Sequence, residues 1–535
     1  MLEVALRSGV ATRRAVFEVY ARRLPPGRRF GVVAGLGRLI DQLAAFRFGP
    51  EELTALERCG AIGPRSVDYL AGYRFAGDID AYAEGELYFP GSPVLTVEAA
   101  FGEALLLETL VLSVLNHDSA VASAAARMAA AAGGRPLIEM GSRRTHEEAA
   151  VAAARAAYIA GFATTSNLEA GRRYGIPTAG TAAHALVLAH PDERSAFVAQ
   201  VAAQGLGTTL LVDTYDTPQG IAHAIEAAGT GLGAIRIDSG DLASEAVAAR
   251  ELLDRLGATR TRIVVSGDLD EYGIEELAQA PVDAYGVGSR LVTGSGAPTA
   301  NFVYKLVAIE NERGELQPVA KRSPSKGGRG GRKWAARVVG ADGIAVAELV
   351  GTGRVVPGTR QLGAAVPPGA HLRPLQVPIV RAGRPLARPT LAEVRRHHRE
   401  ALAELPPLAL MLVAGPPTFE VSMVDDQPAP DSPDDPRPGD PLAGDRPTGA
   451  NGSDAAGSHD RSAHRRPHTA GSRERETGES RLSTAPAGSV PTDTAGAPET
   501  GSLETGSLET GSLETESLAS GVGTARPPAA RPGDR

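Results

Sequence analysis

Arg143, His184, Asp213, Asp238 and Ser289 each stand within a few residues of the end of a short apolar run, and together they offer a cation, an imidazole, two carboxylates and a hydroxyl. The runs read PLIEMGSRR (136–144), IPTAGTAAH (176–184), TTLLVDTYD (208–216), AIRIDSGD (234–241) and DAYGVGSRLVTG (283–294). In the last run Gly286 and Gly288 let backbone N–H groups approach an anion, and Ser289 and Thr293 add hydroxyls. A tight strand-to-helix turn needs the same glycines, but the adjacent hydroxyls favour a phosphate. Asp238, with Arg236 and Ser239 beside it, can accept from two ribose hydroxyls or hold Mg2+ through water. Asp241 could equally cap the next helix. Asp213 and Asp216 repeat the pattern one strand earlier, and one of them can be a turn former. Arg143 and Arg144 follow Gly141 and Ser142; arginine suits bidentate capture of carboxylate or phosphate, and Arg143 is the one expected to meet a ligand. His184, behind Gly180 and Thr181, is either a structural histidine or a neutral imidazole able to attack a phosphoryl group. His117 and His146 are expected at helix boundaries, as caps or packing.

These groups need a frame that brings strand ends together. In the last four runs strand-like segments recur about every 25 residues with helical pattern between them, the spacing of a parallel α/β barrel. Active sites of such barrels collect at the C-terminal ends of the strands. Helices are expected over 101–116, 119–132 and 146–161. Residues 1–100 mix helix with short strands, and strands return over 306–400, so a β-rich sandwich domain built from 1–100 and 306–425 should flank a barrel domain at 101–305. Beyond 425 the chain is Pro, Gly, Ser, Thr, Asp and Arg, with GSLET three times over 501–515. Residues 426–535 are expected to be a disordered, low-complexity tail.

Composition removes several classes. A formal charge of -8 and a pI near 5.9 argue against a general nucleic-acid binder. The single cysteine, Cys59, excludes a disulfide framework and a Cys-based zinc site, fits a reducing cytoplasm, and is expected to be a buried bystander. No run approaches the length of a membrane span. The irregularly spaced His459, His464 and His468 do not suggest a metal site.

Taken in order, the phrases EGELYFPGSPVLTVE (84–98), LLETLVLSVLN (106–116), EMGSRRTHEEA (139–149), SNLEAGRRYGIPTAGTAAH (166–184), LVDTYD (211–216), RIDSGDL (236–242) and GVGSRLVTG (286–294) closely resemble nicotinate phosphoribosyltransferases. The Lys/Gly segment 321–333 resembles that family's late basic loop, and agreement runs collinearly over about residues 1–410. The resemblance implies an incomplete α/β barrel of the type II phosphoribosyltransferase kind, with a discontinuous α/β sandwich. It also implies a homodimer with a shared active site. The implied reaction joins nicotinate to phosphoribosyl pyrophosphate, giving nicotinate mononucleotide and pyrophosphate, with coupled ATP hydrolysis and Mg2+. His184 would become the phosphohistidine; Arg143 and Arg236 would lie near the pyridine ring and phosphates. Asp238 would hold the ribose, with Thr181 and Ser239 nearby, and Gly286, Gly288 and Ser289 would cradle the 5′-phosphate. Nicotinamide-using relatives carry Asp where this chain has Asn167, so the neutral side chain should favour the acid. Family members usually begin with a Thr-Asp-x-Tyr-x-x-Thr-Met phrase whose Tyr stacks on the pyridine. Met1 coincides with its last residue, so either that Tyr lies upstream or the enzyme is impaired, the first being the expectation, and Met140 would face the other side of the ring. The competing readings are a nicotinamide- or quinolinate-type phosphoribosyltransferase and a non-catalytic interaction protein.

Overall fold

The computed structural model describes residues 1–60, 62–321 and 329–424. The tail at 426–535, and 322–328 of the basic segment, lie outside the described residues. Six parallel strands form the site-bearing sheet: β1 (Leu137–Glu139), β2 (Thr164–Thr165), β3 (Thr209–Leu211), β4 (Ala234–Ile237), β5 (Arg262–Gly267) and β6 (Ala284–Val287). They pair in the order β2-β1-β6-β5-β4-β3. Closure would require β2 to pair with β3. These are instead the two edges, so the barrel is incomplete, as expected.

Two local expectations need correction here. The segment 176–184 is no strand; it touches the sheet at one bridge, Thr165 to Thr178. Pro177 has no N–H to donate and Gly180 weakens any extension, so a ladder cannot propagate. The sheet instead takes in β5, whose RIVVSGD was not among the runs singled out although it has the same form. Inside the barrel Ile235, Ile237, Val265, Tyr285 and Val287 are fully buried. That burial is what parallel strands covered on both faces require.

The second sheet has seven antiparallel strands in the order Leu316–Pro318, Phe302–Glu310, Arg14–Ala21, Leu95–Ala100, Asp78–Tyr82, Gln376–Arg381, Arg384–Pro385. Its strands come from both sides of the barrel segment in sequence, which makes it discontinuous. A four-stranded sheet, His371–Pro374, Lys333–Val339, Ala345–Thr352 and Val421–Val424, completes that region. Lys333–Val339 is buried at every position, its Lys333 paired with Glu18 at 2.9 Å.

Two helices occupy 101–131, as expected, but the break falls at Leu107 and not at 117–118: Phe101–Leu106 is followed by helix α1 (Glu108–Ala131), which runs on unbroken. The sequence shows a polar interruption, Asn116 to Ser119, but those residues have internal partners. Asp118 takes Arg38 at 2.7 Å, and the Ser119 and Ser123 hydroxyls accept from the backbone of Ala34 and Val32. His117 is therefore mid-helix, not at a boundary, with Nδ1 2.9 Å from Asp118. His146 does cap helix α2 (Glu147–Ile159), accepting from Glu148 N–H. Cys59 is exposed rather than buried, because its short helix Pro50–Arg58 has no buried residue to draw it inward. Among the described residues no helix is long and apolar enough to cross a membrane.

Candidate active site

The strand ends of the barrel sheet open onto two adjoining clefts of about 240 and 250 Å3 that share Met140, Arg143, Arg236 and Asp238. The first also meets Thr181 and His184; the second meets Gly286, Gly288 and Ser289. Four loops that are far apart in sequence thus converge on one place. A larger cavity of about 800 Å3 lies elsewhere, against Leu36, Tyr174, Val377 and Val394. Its buried charges, Glu84 and Arg155, satisfy each other at 2.6 Å, and no barrel strand ends there. Size alone does not mark the chemistry.

Arg236 organises the shared wall. It projects from β4 with its side chain about one-tenth exposed, and its three nitrogens are each assigned. Nε donates to Ser266 Oγ at 2.7 Å, Nη1 to Thr181 Oγ1 at 2.6 Å and Nη2 to Asp238 Oδ1 at 2.8 Å. Ser266 Oγ in turn donates to Asp238 Oδ1 at 2.6 Å. Burial opposes the charge of Asp238, but Ser266, Arg236 and His184 outweigh it and hold the carboxyl below the usual aspartate range. A carboxylate so held stays ionised at neutral pH. Its Oδ2 has no hydrogen bond among the described residues.

Asp213, at the end of β3, is the second hub, its side chain only 2% exposed. Oδ1 lies 3.2 Å from His184 Nε2, while Oδ2 accepts from Asp238 N–H at 2.8 Å and Ser239 Oγ at 2.6 Å. One carboxylate therefore fixes both the imidazole and the turn that carries Asp238. Its neighbour Asp216 is the turn former, capping helix Thr217–Ala228 through Gln219 N–H. Asp241 occupies the N-cap position of Leu242–Arg255, yet its side chain accepts from Ser244 Oγ, not from the backbone. His184 opens the short helix α4 (His184–Leu188) with its ring 40% exposed toward the cleft side.

Gly286 is required by contact, since a Cβ there would meet Met140 Sδ at 2.8 Å. It would also stand 3.0 Å from Ser266 Cβ, which cannot swing away as the methionine can. Both Arg143 and Arg144 line the second cleft, so neither of the pair is idle by position. Asn167 and Ser239 line neither. Asn167 Oδ1 caps helix α3 (Leu168–Tyr174) through Ala170 N–H at 2.8 Å, and its Nδ2 donates to Ser142 at 3.0 Å, next to Arg143.

Two family models match the chain in succession: the nicotinate phosphoribosyltransferase (NAPRTase) N-terminal domain over residues 1–116, and the quinolinate phosphoribosyl transferase C-terminal domain over 121–295. The chain is 58% identical over 427 residues to nicotinate phosphoribosyltransferase pncB1 of Mycobacterium tuberculosis, covering 78% of this chain and 92% of that protein. The chain belongs to the nicotinate phosphoribosyltransferase family. A human member is 31% identical, over 75% of this chain and 88% of its own length. The crystal structure of human nicotinic acid phosphoribosyltransferase superposes with a TM-score of 0.67 at 28% identity, covering 79% of this chain and 96% of that one. Nicotinate-nucleotide pyrophosphorylase from Pyrococcus furiosus gives 0.62 at 25% identity, over 75% and 92%.

Within that family frame, the residues not picked out from the sequence are Ser266 and Asp268 at the end of β5, both on the second cleft, and Glu139, whose carboxylate accepts from Gly141 N–H next to Met140. The signal for the former was present: RIVVSGD is an apolar run ending in Ser-Gly-Asp, as AIRIDSGD is. Glu139 gave no such signal, because nothing in the sequence shows a side chain turned inward.

Proposed function

We propose that the chain joins nicotinate to phosphoribosyl pyrophosphate, forming nicotinate mononucleotide and pyrophosphate in NAD biosynthesis. The observation that carries this is the shared wall, where Arg143, Arg236 and Asp238 serve two adjoining clefts at once. Such an arrangement can hold a planar carboxylate and a phosphorylated sugar edge to edge. Departure of pyrophosphate leaves an oxocarbenium-like sugar, so catalysis is largely positioning and electrostatics. The pyridine nitrogen is already a competent nucleophile and needs no strong base.

In this reading Arg143 and Arg236 take the nicotinate carboxylate and neighbouring phosphate oxygens, Asp238 accepts from the ribose hydroxyls, and Gly286, Gly288 and Ser289 receive the 5′-phosphate. Asp268 joins Asp238 on the second cleft. These two carboxylates, with phosphate oxygens of the substrate, form the oxygen-rich donor set that Mg2+ prefers. Bound there, the ion would neutralise charge on the leaving diphosphate. His184 is the acceptor of the ATP γ-phosphoryl group. Asp213 favours a proton on Nε2, which leaves the Nδ1 lone pair as the nucleophile. Asn167 presents no charge beside Ser142 and Arg143, which favours the acid over the amide. The working unit is a cytoplasmic homodimer with a shared site, and residues 101–305 form its catalytic barrel. The sandwich draws on 1–100 and on the described strands between 306 and 424, and strand Phe302–Glu310, which begins inside the 101–305 range, pairs wholly in its sheet.

The test offers nicotinate, nicotinamide and quinolinate in competition, with labelled phosphoribosyl pyrophosphate. Nicotinate mononucleotide should be the main product, and exclusive use of either rival overturns the assignment. Incubation with γ-labelled ATP should give acid-labile protein phosphate that His184→Ala abolishes. Label retained in that variant removes the phosphohistidine.

A further inference from the structure

Glu139 is the last residue of β1, fully buried, and no cation lies within salt-bridge range of it among the described residues. Its carboxylate is held by neutral donors alone. Oε1 accepts from Gly141 N–H at 2.5 Å, and Oε2 accepts from the Thr165 hydroxyl. Thr165 Oγ1 passes the contact on by accepting from Asn167 N–H at 2.9 Å. The backbone at this point is equally committed: Glu139 O accepts from Ser166 N–H, Thr165 N–H donates to Pro177 O and Ala179 N–H donates to Thr165 O. One side chain therefore ties the loop carrying Met140 and Arg143 to the loop carrying Asn167. The same β2 residue anchors the segment that leads to Thr181 and His184.

A buried carboxylate without a cation is costly, and burial here pushes the Glu139 carboxyl up from its usual value. Glutamine would avoid that cost and would not fit the same contacts. Its NH2 would have to donate to a Thr165 oxygen that already accepts from Asn167 N–H, leaving the threonine hydroxyl proton to seek a new acceptor. The pattern needs two acceptors on one rigid planar group, which only the ionised carboxylate supplies. The Glu139 side chain makes no hydrogen bond to the phosphate-side groups: Asp238 is held by Arg236, Ser266 and Asp213, and Gly286, Gly288 and Ser289 follow β6, whose Val287 pairs with the Glu139 backbone rather than with its carboxylate.

From this geometry we infer that Glu139 is a positioning residue for the pyridine-carboxylate subsite, setting Arg143 and Asn167 relative to each other through Gly141 N–H and the Thr165 hydroxyl. It touches no substrate. The inference rests on the nicotinate reading above and adds to it a residue outside both clefts.

The experiment measures KM for nicotinate and for phosphoribosyl pyrophosphate separately in wild type, Glu139→Gln and Thr165→Val, alongside amide hydrogen exchange. For Glu139→Gln the nicotinate KM should rise about tenfold or more, the factor expected from one buried acceptor left mismatched. The phosphoribosyl pyrophosphate KM should change less than about threefold, and faster exchange should be confined to 140–144 and 165–167. Thr165→Val removes the hydroxyl and leaves the carboxylate; it should show the same selective rise and serves where Glu139→Gln does not fold. Equal rises in both KM values, an unchanged nicotinate KM, or faster exchange throughout the barrel would each overturn the inference. A wild-type protein that makes no nucleotide from nicotinate fails at an earlier step and removes the functional reading on which the inference stands.

Discussion

Two arginine–carboxylate networks in this molecule look alike in composition and differ in what they can do. At the barrel rim Arg236, Asp238, Asp213 and His184 are joined by hydrogen bonds, with side-chain exposure rising from 2% at Asp213 to 24% at Asp238 and 40% at His184. In the sandwich, Arg337 is wholly buried, 3.0 Å from Glu348 and 3.7 Å from Glu86. Glu348 is closed off by the Tyr82 and Ser92 hydroxyls, Glu86 by Arg373 and His397, and the rings of Phe89 and Phe419 stand 5.1 and 6.0 Å from the Arg337 guanidinium carbon. Burial disfavours the Glu86 charge, yet His397, Arg337 and Arg373 hold its carboxyl well below the usual range. The side chains of Arg337, Glu348 and Glu86 at the centre of the sealed network are at most 1% exposed; the rim network keeps valence free on Asp238 and a ring edge open on His184. Charge density does not identify a site. Access to unspent hydrogen-bonding capacity does.

The contrast can be broken most directly at its sealed half. Arg337→Ala should destabilise the fold by about 3–5 kcal/mol, because it leaves the buried Glu348 without its cation while Glu86 keeps Arg373 and His397; chemical denaturation would measure it, and a loss below about 1 kcal/mol would show that water reaches the cluster. At the rim the opposite signature is expected. Asp238→Asn should lower kcat by about 10²–10³ while shifting stability by no more than about 1 kcal/mol. A large stability loss with kinetics intact would make Asp238 structural.

The pH dependence of stability sharpens the comparison further. His398, beside the sealed network, is 2% exposed with Nδ1 donating to Gly85 O, and burial lowers its pKa to about 4 from the ordinary 6.5. Its folded value lies below the unfolded one, so the unfolded chain binds more protons as pH falls. The stability this neutral ring contributes is complete above about pH 6.5 and is lost progressively as pH falls through about 4, worth roughly 3 kcal/mol in all. His398→Gln should flatten that limb of the urea-midpoint profile, and an unchanged slope would assign it to other groups. Asp238 is also depressed, so its contribution is present above the ordinary aspartate value and fades below it, a smaller effect at lower pH. The smallest expected effect is at Cys59, where exchange for Ser should move stability by less than about 0.5 kcal/mol.

Much of the rim was legible because each barrel strand repeats one local grammar, a short apolar run followed by a polar turn. Arg143, His184, Arg236, Asp238 and Ser289 could be picked out that way, and all five line the clefts. The grammar misled where local and tertiary signals part. It promoted 176–184, whose Pro177 stops a ladder, and it passed over β5 with Ser266 and Asp268. It split α1 at polar residues that the fold satisfies from Arg38 and the 32–34 backbone.

Residue types and their spacing along the chain were enough to point to the α/β class and to candidate anion- and sugar-handling groups, because periodicity and turn composition are short-range properties, while the family was legible from the resemblance of whole phrases. Which carboxylate holds which partner was decided only on folding. Glu139 meets Thr165 across 26 positions, Asp213 meets His184 across 29, and Glu348 meets Tyr82 across 266. Whether a charged side chain ends sealed or open depends on what packs over it, and that is set by contacts between segments that no local pattern records.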